Sequence, residues 1–242
     1  MIFGSDNSQT QEQVVVGGRA DIDEGLRAHM VRVYNVMGMG LVVTALTALG
    51  VTLIPALQQV IFGTPLVWVA MFAPLVFLWF GLGHNAMINK SAATLRTRFF
   101  LFAALFGISM STIFIAYTAE SIVRVFFITA SMFLATSLYG YTTKRDLSGF
   151  GSFLFMGLIG LIIASVVNIF MQSSMLHWIV SVAGVFIFTG MAAWDTQRIK
   201  ESYALSHGQE NNNKLAVMGA LSLYLNFVLL FQHLMMILGQ RE

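Results

Sequence analysis

Two stretches of the sequence, 33–89 and 147–194, run for 57 and 48 residues without an Asp, Glu, Lys or Arg. A water-soluble fold cannot hide that much uncharged chain, whereas a bilayer core accepts it in helices of about 20 apolar residues. Backbone polar groups in lipid must be satisfied within the segment, so each crossing reads as a helix. The first stretch is long enough for two helices broken at "PALQQVIFGTP", which carries Pro55 and Pro65. The second holds two more, with "NIFMQSSMLHW" as the break. Shorter charge-free runs at 99–119, 125–143 and 215–240 bring the expected number of crossings to seven. The predicted fold is an all-α membrane protein, a seven-transmembrane-helix bundle over 33–239, behind a flexible polar N-terminal tail over 1–32.

Composition agrees with lipid as the solvent and narrows the function. Apolar residues make up 57% of the chain and charged residues 10%, against about 25% charged in an ordinary soluble domain. A net charge of +2 and the lack of a basic, aromatic-interleaved patch speak against nucleic acid. The absence of cysteine excludes disulfides and thiolate metal sites. The polar start, "SDNSQTQEQ" and "GGRADIDEGLR", lacks the basic and apolar order of a cleaved signal peptide.

Lys and Arg collect on the cytoplasmic side of membrane proteins. With the N-terminus inside, Arg19, Arg27, Arg32, Lys90, Arg96, Arg98, Lys144, Arg145, Arg198, Lys200 and Lys214 are all internal, and only Arg124 and Arg241 are external. The expected topology is a cytoplasmic N-terminus and a C-terminal "GQRE" outside.

Lipid is as apolar as leucine, so helix packing falls to small residues and a few polar contacts. The third helix has Ala103, Gly107 and Ser111 at steps of four, and the fifth has Gly160, Ala164 and Asn168. Both read as packing seams. On the seventh helix Gly219, Ser222, Asn226 and His233 form one narrow stripe, opposite mostly Leu, Val, Phe and Met. On the sixth, one face carries Asp195, Met191, Phe188, Gly184, Ser181 and His177. The two faces suit each other, with Asp195 and Asn226 directed into the bundle. Depth sets a condition on that contact. Asp195 lies three to five residues from the bases that follow it, roughly 5–8 Å, while Asn226 lies twelve beyond Lys214, roughly 18 Å. They meet if the seventh helix starts well before the membrane does.

Asp195 ends the 48-residue charge-free run. An ionisable group inside a membrane helix is a functional candidate by default. Desolvation makes its charge state sensitive to its neighbours, and its oxygens suit weak contact with a hard cation. The plainer alternative is an interfacial pair with Arg198, three residues on. Glu120 and Arg124 are spaced for a solvated i,i+4 pair. The five histidines show no metal-ligand spacing, and neither H-E-x-x-H, a second core aspartate, a G-x-S-x-G elbow nor a lysine within the seventh helix is present. The chain is expected not to be an enzyme and to need no cofactor.

Three segments, "SLYGYTTKRDLSGFGSFLFMGLIGL" (137–161), "GMAAWDTQRIKESY" (190–203) and "MGALSLYLNFVLLF" (218–231), together with "FGISMSTIFIAYTAESIVRVFFITASMF" (106–133), resemble the bacterial branch of the Bax inhibitor family. The resemblance covers about 97–239, and the first two helices fit by hydropathy more than by motif. It implies a bundle with the seventh helix near the centre, in the inner membrane, that lets calcium leak down its gradient under pH control. The sensor it implies is a proton-sharing pair of aspartates. Asp195 matches the first, while the second position is Asn226, which does not titrate, so the shared-proton switch lacks its second site. Arg198, Ser222 and His233 are candidate supporting residues around the pair. A basic latch after the second helix would be Lys90. The alternative implied by the resemblance is a non-conducting regulator that binds a membrane protease or a stress-response partner.

Overall fold

The computed structural model describes residues 7–241, with side chains over 24–83, 87–204 and 206–241. It is helical along nearly all of that length: α1 (Asn7–Leu53), α2 (Pro55–Phe62), α3 (Leu66–Gly81), α4 (His84–Asn89), α5 (Ala92–Ala116), α6 (Ala119–Thr142), α7 (Ser148–Met171), α8 (Ser174–Ser202) and α9 (Gly208–Leu238). Of the expected N-terminal tail, residues 1–6 lie outside the described residues and the remainder forms the start of α1.

Six helices, namely α1 from Glu24 together with α5 to α9, are long and apolar enough to cross a bilayer. The remaining crossing expected from the sequence is divided. Pro55 holds Ile54 in an extended conformation that ends α1, and the Gly63–Pro65 turn bends α2 against α3 by 82°. The bundle therefore has six spans, or seven if the bent pair counts as one. The 16 residues of α3 cover about 24 Å, less than the roughly 30 Å hydrocarbon core. Turns between the long helices are tight. Ser91, Thr118 and Ser173 each accept the N3 amide with their side-chain oxygen, so α5, α6 and α8 begin abruptly.

Helix α9 is the axis of the molecule. It packs against α1, α5, α6 and α8, and two-thirds of its most apolar window is buried, against about a tenth for α7. Enclosure extends well beyond the polar stripe, since Leu223, Tyr224 and Leu230, away from it, are fully buried. Tyr224 meets the rings of Phe99, Phe102 and Phe106 edge-on at 5.5–6.1 Å, and its hydroxyl shares a 2.6 Å hydrogen bond with Thr44, whose own hydroxyl reaches the Ala103 carbonyl at 3.0 Å. One polar knot thus fastens α1, α5 and α9 inside an aromatic cage.

The third-helix seam forms as expected. Ala103, Gly107 and Ser111 are buried, and a Cβ on Gly107 would run into the backbone of Thr44. The fifth-helix seam does not. Gly160 is exposed with open space around it, while α7 meets α8 through Gly151, Leu154 and Leu161. Small residues become a seam only where a second helix approaches them. On α7 the approach is from α8, whose Trp194 ring lies over Gly151. Asn168 instead accepts the Ser173 amide at 3.1 Å and stabilises the turn into α8.

Candidate carboxylate site between α8 and α9

The inward face of α8 is Ser181, Gly184, Phe188, Met191 and Asp195, all buried, and it lies along α9. His177, the outermost member of the predicted face, is exposed. Two glycines set the helix separation. The His233 ring occupies the space beside Gly184, and Ile199 closes on Gly219. With the backbones this close, short side chains can span the gap. Asp195 is 4% exposed, and its Oδ2 accepts hydrogen bonds from Ser222 Oγ at 2.6 Å and from Asn226 Nδ2 at 2.7 Å. Ser222 and Asn226 are one helical turn apart, so both donors approach a single oxygen from the same face of α9. The two side chains do meet, and α9 begins at Gly208, six residues ahead of Lys214.

A carboxylate with two good donors is a satisfied hydrogen-bond acceptor in a nearly dry place. It is also accessible from one side. A cavity of about 370 Å³ is walled by Asp195, Arg198, Ser202, Met218, Ser222 and Met87, among others. Arg198 is exposed, and its guanidinium rests over the Trp194 ring at 5.6 Å. Lys90 is exposed, and the residue that its segment contributes to the cavity wall is Met87. His233 lies two turns beyond Asn226, with Nδ1 on the Leu229 carbonyl at 2.7 Å and its ring 5.3 Å from Phe188, so it is a packing element of the far half of α9. Glu120 and Arg124 are both exposed at the opposite end, where Arg124 donates to the Leu238 carbonyl at 3.4 Å.

Two arrangements beside Asp195 have no counterpart in the sequence reading. Thr196 Oγ1 shares a 2.7 Å bond with Ser137 Oγ, which in turn meets the Tyr34 hydroxyl at 2.5 Å, so hydroxyls link α8, α6 and α1. Gln197 holds the α6–α7 connection from both sides, accepting from the Leu147 amide and donating to the Arg145 carbonyl, each at 2.8 Å. Lys200 adds a bond to the Tyr141 carbonyl at 2.8 Å. The only available signal was adjacency to Asp195 in "WDTQRIK", because no spacing rule joins hydroxyls on different helices.

As a cation site the cluster is sparse. Among the described residues no three His, Cys, Asp or Glu side chains converge. One carboxylate, the Ser222 hydroxyl and the Asn226 amide oxygen are the oxygen donors that this face offers.

A family model described as "Inhibitor of apoptosis-promoting Bax1" matches residues 26–242. The chain belongs to the Bax inhibitor family. It is 45% identical over 221 residues to an uncharacterized protein of Rickettsia prowazekii, covering 91% of this chain and 92% of that one. It is 43% identical to the inner membrane protein YbhL of Escherichia coli K12, over 90% of this chain and 94% of YbhL. An uncharacterized membrane protein of Streptococcus pyogenes is 34% identical over 91% of this chain and 96% of its own length. It is a multi-pass membrane protein of the Bax inhibitor family, and its three most distinctive sequence segments meet in space. Residues 137–161, 190–203 and 218–231 form the end of α6 with the start of α7, the end of α8 and the middle of α9, the elements gathered around Asp195.

Proposed function

We propose that this protein is a non-enzymatic cation leak pathway of the inner membrane, calcium being its candidate ion, with Asp195 as the gate at the cytoplasmic mouth. The observation that carries the reading is a buried carboxylate held by two α9 donors on the wall of a 370 Å³ cavity, beside Arg198. In this reading the Ser222 and Asn226 bonds tie α8 to α9 and keep the mouth narrow. A cation or a proton arriving through the cavity competes with those donors for the carboxylate, and loss of the tie lets the two helices part. Asn226 stays a neutral partner in every state, so the gate has one titrating group where a carboxylate pair would have two. The inner-membrane assignment follows the printed name of YbhL. Counted with seven crossings, eleven of thirteen Lys and Arg residues fall in segments on the side of the N-terminus, which supports a cytoplasmic N-terminus and an external C-terminus.

The test is calcium flux into liposomes holding the purified chain, at pH 6 and pH 8, for the native protein, Asp195→Asn and Asn226→Asp. The native chain is expected to pass calcium, Asp195→Asn to change the flux, and Asn226→Asp to add a pH response. Silence from the native protein and both variants refutes the leak reading and leaves a regulator of a membrane protease or stress-response partner as the function to pursue.

A further inference from the structure

Between α3 and α5 lies a groove of about 480 Å³. Its α3 wall is Ala73, Val76, Phe77, Phe80 and Gly81, and its α5 wall is Arg98, Leu101 and Leu105. The helices are antiparallel here: Arg98 Nη1 donates to the Gly81 carbonyl at 2.9 Å, and further along Ser109 Oγ donates to the Ala70 carbonyl. Polarity therefore collects at one end of the groove, and apolar side chains line it from there to Leu105, about 10 Å further along α5. Val76, Phe80 and Leu101 are exposed, so the groove opens toward the surrounding lipid.

We infer that this groove binds an anionic glycerophospholipid, with its phosphate on Arg98 and an acyl chain along Leu101, Phe77 and Leu105. Charge supports the anionic class. No Asp or Glu occurs between Glu24 and Glu120, while Arg27, Arg32, Lys90, Arg96 and Arg98 all do. Glu210 does approach the start of α5, and its carboxylate accepts the Ala92 amide at 2.8 Å. A guanidinium carries five N–H donors in a rigid fork. Gly81 takes one of them, so Arg98 can hold the end of α3 and a phosphate together. Arg98 is also placed for the interface, six residues into α5, with a stem long enough to carry its head toward the lipid headgroups. A basic residue at the membrane surface attracts anionic lipid. The apolar groove beyond it distinguishes a whole lipid from a bare anion.

Native mass spectrometry of the full chain, released from detergent with equimolar phosphatidylglycerol and phosphatidylcholine, reads this directly. The native protein is expected to retain phosphatidylglycerol about tenfold over phosphatidylcholine, the scale of one charge-assisted contact. Arg98→Gln should abolish that preference, and Arg98→Lys should keep part of it. Leu101→Trp, which fills the groove, should lower retention of both lipids. Equal retention of the two lipids by the native chain overturns the inference, as does a preference that survives Arg98→Gln. Displacement of the lipid by inorganic phosphate at millimolar concentration also overturns it, because the chain would then add nothing to binding. Should Arg98→Gln fail to fold, the native lipid ratio and Leu101→Trp decide the matter without it.

Discussion

Gly140 and Gly160 present the same chemistry in opposite surroundings, and one added methyl group separates them. A Cβ on Gly140 would overlap the carbonyl oxygen of Ala193 and lie 2.8 Å from its carbonyl carbon and 2.9 Å from its Cα, so α6 and α8 must move apart as backbones. Overpacking of this kind costs about 1–3 kcal/mol. The movement also stretches the Ser137–Thr196 bond one turn away on the same seam, worth about 1 kcal/mol. Against these stands the gain of alanine over glycine in a helix, about 0.5–1 kcal/mol. Gly140→Ala should therefore lose about 2 kcal/mol, which for a chain of this length lowers Tm by about 4–8 °C. Gly160→Ala has open space around its Cβ and keeps only the helix gain, so its Tm should rise by about 1–4 °C. Fluorescence-detected size exclusion after a heating series, in one detergent, measures both. If Gly140→Ala proves as stable as Gly160→Ala, the α6–α8 contact is not where the structure places it.

Tyr224→Phe removes the hydroxyl that Thr44 shares while leaving the aromatic cage intact, so it should cost about 1 kcal/mol with no change in oligomeric behaviour, read as a small fall in Tm. Gln197→Ala strands the Leu147 amide and the Arg145 carbonyl together, and the segment 143–147 should become the first site cut in limited proteolysis of the detergent-solubilised chain. Asp146 lies between α6 and α7, where the side chain and amide of Ser148 hold its carboxyl below the usual carboxylate range. A lowered value favours the folded turn above the unfolded pKa of 3.8 and loses that contribution as pH falls through the folded value. Hydrogen exchange at the Ser148 amide should therefore accelerate, relative to its intrinsic rate, as pH drops below about 4. In Asp146→Asn, where the side chain that accepts the Ser148 amide has no charge to lose, that acceleration should be absent.

How much of this was readable in advance depended on whether the information lay within one helix or between two. Charge-free length fixes where a helix can cross lipid, and that rule located each of α5 to α9, although α5, α6, α8 and α9 run about two turns beyond the uncharged stretch at one end. It also counted enough apolar residues for the α2–α3 region, but apolar content does not record direction. The turn at Gly63–Pro65 bends a span that hydropathy counts as whole. Seams show the same limit. Ala103–Gly107–Ser111 and Gly160–Ala164–Asn168 are equivalent patterns, and only the position of a neighbouring helix makes the first a contact and leaves the second facing outward.

The Asp195 site was readable for a different reason. A lone acid at the end of a 48-residue uncharged run has few ways to be satisfied, and the facing stripe of α9 offered Ser222 and Asn226 at the right spacing. Scarcity made the inference possible. Gln197 and the Tyr34–Ser137–Thr196 hydroxyls escaped it because hydroxyl and amide residues are common in this chain, and each has many conceivable partners. Their placement changes what the carboxylate can do. Thr196 and Gln197 fasten α8 to α6 and to the α6–α7 connection immediately beside Asp195, so that end of α8 is pinned on its α6 side, and it meets α9 through the carboxylate and through Ile199 against Gly219. On the gate reading proposed above, an opening that starts at Asp195 would have to part α8 from α9 while Thr196 and Gln197 still tie α8 to α6. On that reading, substitutions at Ser222 and Asn226, which remove the tie between α8 and α9, are expected to change calcium flux into liposomes more than equally conservative changes at Thr196, which leave it in place.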